Sequence, residues 1–447
     1  MADTMHETGS ARETTPLTLF QQLSYSSGNL STMLINQIVV TWAIYFYAPS
    51  EQADPSAGGV KVAIDYAPVA MLGFAMGFGR LIDALADPLV GHLSDRTKTR
   101  WGRRIPFVAL GTPFLVLFFI ILWRPPVAAE SLLNALYFGL VLGFFFFFFT
   151  VVVAPYLSLM PEIARGNTQR MRVATFEAMF GIVGLLIAAI AAPLIIGDDF
   201  QFMKMALVMG AITLVFFYFS IGFVKEQRPD TDAPPPFEFK RAVAETMRNK
   251  AFVSWVACLF MFWIGFNVIA MSTPYFVTRV LGEPESKTAL YQGVMMILAV
   301  PMFAVVYFAG KRLPKKILVA GAMLILTLVT PLFFFITAVP ERWAGTYALA
   351  LFAALSLPVA TLLIMANAII ADIVDLDEQK TGRRREAMYF GMQGLVTKSA
   401  IAISAIVGTQ LMTRLGMTSA EPTGILLAGP FCALFTLLGF VAITRYP

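Results

Sequence analysis

Twelve long apolar segments follow one another along the 447 residues of the chain. A transmembrane helix needs about 20 mostly apolar residues to cross about 30 Å of hydrocarbon. The segments lie near 19–47, 66–94, 105–124, 131–162, 170–195, 202–224, 250–279, 288–310, 315–338, 343–376, 387–414 and 422–445. None of them alternates apolar and polar residues as the strands of a transmembrane barrel do. The pattern therefore predicts an all-α polytopic membrane protein with twelve transmembrane helices.

The composition excludes a soluble enzyme and a disordered chain. Hydrophobic residues make up 58% of the sequence and charged residues 14%, whereas soluble domains carry about 45–50% and about 25%. Disordered segments are rich in charge and poor in apolar residues. The two cysteines and two histidines are too few for a disulfide framework or a zinc cluster. The sequence also lacks a nucleophile elbow, a P-loop and an HExxH motif, so we expect no enzyme, no ATP-driven pump and no cofactor.

Lys and Arg residues concentrate in alternate loops. The basic clusters lie within 96–104, 165–172, 225–250, 311–316 and 380–385. Loops rich in Lys and Arg stay on the cytoplasmic side of a membrane. This bias predicts a multi-pass protein of a cell membrane, of the bacterial inner-membrane type, with both termini in the cytoplasm. It also accounts for the net charge of +5 without a nucleic-acid partner.

The first six segments and the last six are separated by a connection that contains four prolines. The sequence predicts an N-terminal tail at 1–18, a six-helix half at 19–224, a cytoplasmic linker at 225–249 and a second six-helix half at 250–447. Transporters built from repeats have this organisation. We therefore expect two six-helix halves joined by a linker.

Three ionisable residues occur within the second segment, where charges are costly and usually functional. Arg80, Asp83 and Asp87 are spaced by three and four residues, which places them on one face of a helix. Asp83 lies twelve residues before Asp95, where the cytoplasmic loop begins. At 1.5 Å per residue, Asp83 is therefore predicted to lie roughly 18 Å inside the membrane. Two carboxylates one turn apart repel each other unless a cation lies between them. Arg80 can offset one carboxylate, and the other can attract Na⁺, a proton or a lysine.

Lys398 in the eleventh segment is predicted to lie at the same depth. It is twelve residues from Glu386 at the start of that segment, and Thr150 is twelve residues from Glu162 at the end of the fourth segment. A carboxylate pair, a hydroxyl group and an ammonium group at one depth predict a cation-exchange centre. The alternative is a charge network that only ties the helices together.

Further polar residues are weaker candidates. Asn267 and Gln393 could line a pathway or bond between helices. Glu177 opens the fifth segment and could pair with Arg172.

The loop after the second segment and the end of the tenth carry both acidic and basic residues. Charge-assisted hydrogen bonds between such groups can latch one half against the other and break when the cytoplasmic side opens. The alternative is that the cations only set the topology. The predicted gate residues are Asp95, Arg96, Arg103, Arg104, Asp372 and Asp375.

Several of these motifs resemble the glycoside–pentoside–hexuronide:cation symporters of the major facilitator superfamily. The resemblance is carried by the run DALADP from Asp83 to Pro88 and by RWGRR from Arg100 to Arg104. It extends to Ala371–Asp375 and to the stretch from Glu386 to Lys398, and covers nearly the whole chain. The resemblance implies the major facilitator fold, a monomer in the lipid bilayer, and a small-molecule solute moved together with a monovalent cation.

The resemblance also assigns roles to residues. It implies that Asp83 and Asp87 are the carboxylates of the cation site and that Thr150 is the threonine of that site. If the cation is Na⁺, the two aspartates would hold the metal ion. Arg80 and Lys398 match charged positions of the pathway. The asparagine that the family has between the two aspartates is Ala86 here, which removes an oxygen ligand, so the coupling ion is Na⁺ or H⁺.

The sugar site of the family is changed more strongly. Met33 and Val153 stand where the family has two sugar-binding aspartates, and Glu177 stands where it has an arginine. With Asn267 and Gln393, these residues form the predicted solute pocket. We expect cation-coupled symport of a sugar- or glycoside-like solute by alternating access. The alternative is cation-coupled transport of an amphipathic or lysolipid-like solute, which the apolar positions would suit.

Overall fold

The described part of the chain is built of helices. A computed structural model describes residues 17–49, 65–97, 99–164, 166–226, 246–381 and 386–446. The predicted tail up to residue 16 and most of the predicted linker, 227–245, lie outside these ranges. The predicted linker between the two halves therefore stays a prediction.

In the first half of the chain, seven helices lie within the described residues. They are α1 (Leu19–Ser26), α2 (Gly28–Tyr47), α3 (Val69–Arg96), α4 (Ile105–Ile121), α5 (Leu132–Ile163), α6 (Gly166–Ile196) and α7 (Phe202–Gly222). Helices α1 and α2 together form the first membrane span, Leu19–Tyr47. Thr18 starts this span with a capping box, in which its hydroxyl group accepts a hydrogen bond from the Gln21 backbone N–H.

In the second half, eight α-helices lie within the described residues from Lys250 onward. They are α8 (Lys250–Tyr275), α9 (Thr288–Gly310), α10 (Lys315–Val329), α11 (Glu341–Ala354), α12 (Ser356–Thr381), α13 (Glu386–Leu415), α14 (Thr423–Leu426) and α15 (Ala428–Thr444). A π-helical turn, Phe276–Val280, extends α8, and a 3-10 helix, Thr330–Ala338, extends α10.

The described residues contain the predicted twelve membrane spans. Eleven helical stretches are long and apolar enough to cross a membrane, and the apolar helix Ile105–Ile121 is the shorter twelfth. The tenth span, Glu341–Thr381, is longer than the predicted segment and is interrupted at Leu355. Pro358 lies in the first turn of α12. Backbone N–H groups in a first turn have no partner within the helix, so a proline is tolerated there. The twelve-helix membrane fold is confirmed.

With twelve spans, the chain starts and ends on the same face, which we call the terminal face; the opposite face is the loop face. At the loop face the two halves touch each other. The Tyr275 hydroxyl donates a hydrogen bond to the Ala48 carbonyl oxygen at 2.8 Å, and the Tyr45 hydroxyl donates to Glu285 Oε1 at 2.9 Å. The rings of Tyr45 and Tyr275 are 4.8 Å apart between centroids. These contacts close the loop face between α2 and α8.

Helices α3 and α13 form another contact between the halves. A Cβ atom on Gly73 of α3 would lie 2.8 Å from the Ala405 carbonyl oxygen of α13, and one on Gly77 would lie 2.8 Å from Ile406 Cδ1. Glycine lets the two backbones approach this closely because it has no side chain. This packing brings the charged part of α3 against Lys398.

Candidate functional site

Lys398 of α13 lies between the two aspartates of α3. Its ammonium nitrogen is 2.9 Å from Asp83 Oδ1, 2.9 Å from Asp87 Oδ1 and 2.8 Å from Asp87 Oδ2. The spacing of Asp83 and Asp87, one turn apart, points both carboxylates at the same position on the neighbouring helix. The structure thus brings together Asp83 and Lys398, which were predicted to lie at one depth, and adds Asp87 to the same contact.

Asp83 is the buried centre of this group. Its side chain is 0% exposed and accepts a hydrogen bond from the Thr150 hydroxyl of α5. The Arg80 guanidinium group lies 3.5 Å from Asp83 Oδ2 and is itself buried. A buried carboxylate is stabilised when cations and donors surround it. All five predicted cation-site and pathway residues therefore meet around Asp83 and Asp87.

Arg80 has two partners that the sequence analysis did not identify. Its guanidinium group donates a hydrogen bond to Asn36 Oδ1 of α2 at 2.8 Å. The guanidinium carbon also lies 4.0 Å from the centroid of the Phe146 ring, a cation–π contact. Phe146 precedes Thr150 by four residues, so the helical spacing was the available signal for it. Asn36 connects the charged group to α2.

The four charged residues balance one another. Asp83 and Asp87 supply two negative charges, and Arg80 and Lys398 supply two positive charges. The Asp87 side chain is 41% exposed and that of Lys398 is 22% exposed, so this end of the group is accessible while Asp83 is enclosed. An added cation must compete with the Lys398 ammonium group for the same carboxylate oxygens. We refer to Arg80, Asp83, Asp87 and Lys398 as the charge network.

Oxygen ligands for a metal ion are few at this place. Asp83, Asp87 and Thr150 offer two carboxylates and a hydroxyl group, while Ala86 offers no side-chain oxygen. Among the described residues, no group of three His, Cys, Asp or Glu side chains could hold a metal ion. The arrangement suits the exchange of one small cation against the lysine better than a dedicated metal cage.

One face of α2 is accessible although the rest of this helix is buried. Within α2, the partly accessible residues are Asn29, Met33, Asn36 and Gln37. Their spacing places them on one side of the helix. Three of the four are amides, which can both donate and accept hydrogen bonds. This amide face contains the predicted pocket residue Met33, while Val153 of α5 is buried at 9% exposure.

Gln37 also lines a small cavity between the two halves. Most other lining groups are apolar, and Gln292 of α9 and Thr273 of α8 are the polar side chains on the opposite half. The cavity residues are Gln37, Leu185, Ala189, Phe266, Ile269, Ala270, Thr273, Gln292, Met295, Met296 and Phe352.

Glu177 of α6 lies beside the amide face. Asn29 Nδ2 donates a hydrogen bond to the Glu177 backbone oxygen at 2.9 Å. Its carboxyl group interacts with the Tyr156 side chain. The expected pair with Arg172 is wrong, because no ion pair to Glu177 occurs among the described residues. The reason is the direction of the side chain, which points to α5 rather than back along its own helix.

Asn267 and Gln393 are engaged within the second half. Asn267 Nδ2 donates to the Trp263 carbonyl oxygen of its own helix at 2.7 Å. Gln393 Oε1 accepts from Trp255 Nε1 at 2.8 Å. The structure therefore does not bring these two amides together with Met33, Val153 and Glu177 in one hydrogen-bonded pocket.

At the terminal face, two of the predicted gate residues form ion pairs with acidic residues of the first half. Arg103 and Arg104 form ion pairs with Glu162 at the end of α5, and Arg103 Nε is 3.6 Å from Glu226 Oε1. Burial raises the pKa of Glu162 above its usual value, although the two guanidinium groups act in the opposite direction.

In the second predicted gate cluster, one ion pair is formed with Lys315 of α10. Asp372 of α12 accepts from the Lys315 ammonium group at 2.8 Å, and Asp375 is exposed on the same helix. The side chains of Asp95 and Arg96 lie outside the described residues. A role of Asp95 and Arg96 in latching the two halves together therefore stays a prediction.

Known transport proteins resemble this chain in sequence. The sequence profile described as MFS/sugar transport protein matches residues 24–447. The isoprimeverose transporter of Lactiplantibacillus pentosus is 23% identical over 87% of this chain and 78% of its own length. The putative glycoside/cation symporter YagG of Escherichia coli is 25% identical over 92% of this chain and 87% of its own.

Solved structures share the fold. The structure of a D-xylose-proton symporter has a TM-score of 0.64 at 14% identity and covers 94% of this chain and 96% of its own. The structure of the nucleoside transporter NupG has a TM-score of 0.63 at 14% identity, over 96% of this chain and 100% of its own.

Proposed function

Because the chain belongs to the MFS/sugar transport protein family, and is thus a transporter rather than an enzyme, we propose that it is a cation-coupled symporter of a sugar- or glycoside-like solute. The two six-helix halves would expose the solute pathway alternately to each side of the membrane. Its relatives include an isoprimeverose transporter and a putative glycoside/cation symporter.

The observation that carries the proposal is the position of Lys398 between Asp83 and Asp87. The lysine belongs to one half and the aspartates to the other, so this ion pair holds α3 against α13. A cation that binds to the carboxylates displaces the ammonium group and weakens this contact. Cation binding would then change the free-energy difference between the two orientations of the halves, which is what coupling requires.

The ligand set favours H⁺ over Na⁺ as the coupling ion. A proton needs one carboxylate oxygen, and Asp87 is the more accessible of the two carboxylates. Na⁺ would need several oxygen ligands, and Ala86 provides none. The side chains available to Na⁺ would be those of Asp83, Asp87 and Thr150.

The amide face of α2 favours a polar solute. Asn29, Asn36 and Gln37 can donate to and accept from the hydroxyl groups of a sugar. A site that hydrogen-bonds to hydroxyl groups rejects solutes that lack them, because its own polar groups are then left unpaired. The second candidate is an amphipathic solute, since Phe266, Met295 and other apolar side chains line the cavity between the halves.

For orientation, we propose that the terminal face is cytoplasmic, in a cell membrane of the bacterial inner-membrane type. The support is the concentration of Lys and Arg in the loops of this face. The loop face, which Tyr45 and Tyr275 close, would then be the outer face. A monomer contains both halves and is the expected functional unit.

The test is uptake into proteoliposomes that contain the purified protein. Labelled isoprimeverose, lactose and lysophosphatidylcholine are offered under an inward proton gradient, under an inward Na⁺ gradient, and under no gradient. Accumulation of a sugar above its outside concentration under the proton gradient is expected. Equilibration of every sugar without accumulation under either gradient would contradict coupling, and accumulation of the lysolipid alone would replace the sugar by the second candidate.

A further inference from the structure

Gln292 is a buried amide that belongs neither to the charge network nor to the amide face of α2. It lies in the second turn of α9 and is 7% exposed. Within the described ranges, its side chain forms no hydrogen bond with the protein. Buried polar groups of folded proteins are almost always paired. The donor and acceptor positions of this amide are therefore available to a bound molecule.

The Gln292 side chain lines the cavity between the halves, and Gln37 lines it from the other half. Gln37 Nε2 donates a hydrogen bond to Thr41 Oγ1 at 3.0 Å, which leaves its Oε1 atom able to accept. The Thr273 hydroxyl donates to the Ile269 carbonyl oxygen at 2.8 Å, and its oxygen can still accept a hydrogen bond. Both halves thus present unused hydrogen-bonding positions to one cavity.

The cavity lies at the loop-face end of the accessible side of α2. Gln37 is the last residue of the amide face that begins at Asn29. It precedes Tyr45 by eight residues, roughly 12 Å along the helix. On α8, Thr273 stands two residues before Tyr275. Because Tyr45 and Tyr275 close the loop face, a solute that follows the amide face from the terminal face ends its path in this cavity.

The lining of the cavity selects for charge. Apart from Gln37, Thr273 and Gln292, the described lining residues are apolar, and none of them is charged. A carboxylate in this place would be buried without a counter-ion, which is costly. Phe266 and Met295 offer apolar surface to the C–H groups of a ring. The cavity therefore suits the hydroxyl-bearing end of an uncharged solute.

Both amides are held on closely packed segments. A Cβ atom on Gly293, the neighbour of Gln292, would lie 3.1 Å from Ile190 Cγ1 of α6, so α9 packs closely against the first half. Asn36, the neighbour of Gln37, accepts a hydrogen bond from Arg80 of the charge network at 2.8 Å. A solute bonded to both amides would connect the two halves beside the charge network.

We propose that Gln292 is a specificity-determining residue of the solute site. Together with Gln37, it hydrogen-bonds to the hydroxyl-bearing end of an uncharged sugar or glycoside, and a sugar that carries a carboxylate is disfavoured. Because the two amides belong to different halves, the bound solute favours the conformation in which the loop face is closed. The nature of the solute rests on the proposed function, whereas its binding is measured without transport.

Thermal unfolding of the purified protein in detergent tests the site, since a ligand that binds the native state raises the unfolding midpoint. The probes are isoprimeverose, lactose and methyl β-D-glucuronide. At least one of the two uncharged sugars should raise the midpoint of the wild type, and the glucuronide should not. Gln292→Met should weaken the binding of that sugar about tenfold or more, because its hydroxyl group loses a partner.

Gln410→Met is the matched control. It makes the same substitution at a partly buried position of α13, outside the cavity lining, and should bind the sugar as the wild type does. Gln37→Met should weaken binding as Gln292→Met does.

The unfolding midpoint without ligand separates recognition from a structural role. The amide of Gln292 has no described partner to lose, so Gln292→Met should leave this midpoint unchanged or raise it. A lower midpoint, or a Gln292→Met protein that does not fold, would overturn the proposal. Unchanged sugar binding in Gln292→Met, tighter binding of the glucuronide, or no binding of either sugar to the wild type would also overturn it.

Failure of the proposed symport is distinguishable from failure of this site. Sugar binding that depends on Gln292, combined with no gradient-driven accumulation by the wild type, would leave the site standing and overturn coupling. Accumulation by the wild type, combined with unchanged binding in Gln292→Met, would do the reverse.

Discussion

The ammonium group of Lys398 lies 2.9 Å from the carboxylate of Asp83, although the two residues are 315 positions apart in the sequence. One belongs to the second half and the other to the first. The contact is therefore both a site where a cation can compete and a mechanical link between the two halves.

Replacing Lys398 should destabilise the protein. In Lys398→Ala, the enclosed Asp83 and the neighbouring Asp87 keep two negative charges with only Arg80 to offset them. Removing one partner of a buried ion pair costs about 3 kcal/mol or more. Thermal unfolding in detergent should show a clearly lower midpoint, and adding Asp87→Asn should recover much of the loss.

The control for this variant is Lys315→Ala, which breaks the pair with Asp372. That pair also measures 2.8 Å, but its side chains are 37% and 46% exposed, and exposed pairs contribute about 0–1 kcal/mol. If Lys398→Ala and Lys315→Ala lowered the unfolding midpoint equally, the ion pairs of Lys398 would contribute no more to stability than an exposed pair.

Neutralising Asp83 should separate solute movement from cation movement. Asp83→Asn keeps the shape and an oxygen toward Thr150 but removes the enclosed charge. We expect solute accumulation driven by a cation gradient to fall to the equilibration level, while exchange of solute across the membrane is retained. Counterflow and gradient-driven uptake in the same proteoliposomes measure the two activities.

Glu421→Gln serves as the matched neutralisation, since Glu421 is exposed and belongs neither to the charge network nor to the predicted gate. It should accumulate solute normally. Full concentrative uptake by Asp83→Asn would refute the assignment of this residue to coupling.

A methyl group at Gly73 should open the loop face. The Cβ atom of Gly73→Ala would press on the Ala405 backbone at 2.8 Å, and α3 and α13 must separate there. A reporter substitution, Ala189→Cys in the cavity, should then react several-fold faster with a polar thiol reagent from the loop face. The native cysteines, Cys258 and Cys432, are buried.

Gly91→Ala on the same helix is the control, because no atom lies within 4 Å of its added Cβ. It should leave the labelling rate unchanged. An unchanged rate in Gly73→Ala as well would show that this contact does not limit opening.

Removing the side-chain amide of Asn36 should destabilise the charge network, although Asn36 itself carries no charge. Asn36→Ala deprives Arg80 of an acceptor at 2.8 Å, and hydrogen bonds to charged groups contribute about 1.5–3 kcal/mol. Thermal unfolding should show a loss of this size. In the double variant Asn36→Ala and Arg80→Leu, the loss of unfolding free energy should be smaller than the sum of the losses in the two single variants. Additive losses would show that Asn36 does not act through Arg80.

The sequence predicted the spans and the level of the charges well, because both follow from local rules. Span length follows from apolar runs, and depth follows from the rise of 1.5 Å per residue. This is how Asp83, Thr150 and Lys398 could be placed together although three helices carry them. The interruption at Leu355 was not predicted, since the apolar run continues through it.

Side-chain direction was the part that the sequence could not supply. Glu177 and Arg172 are close in sequence, yet Glu177 interacts with Tyr156. Asn267 and Gln393 looked like free amides, but each is bonded within its own half. Partner choice depends on how helices are rotated against each other, which is set by close packing such as that at Gly73 rather than by local pattern.

The charge balance of the network has a consequence for the energetics across the membrane. An empty carrier whose two carboxylates are matched by Arg80 and Lys398 reorients without moving net charge, whereas the carrier loaded with a cation and a neutral solute moves one positive charge. Each elementary charge that crosses 100 mV gains about 2.3 kcal/mol. Transport would therefore be electrogenic, and an inside-negative voltage alone would draw solute inward when the cation is equally concentrated on both sides.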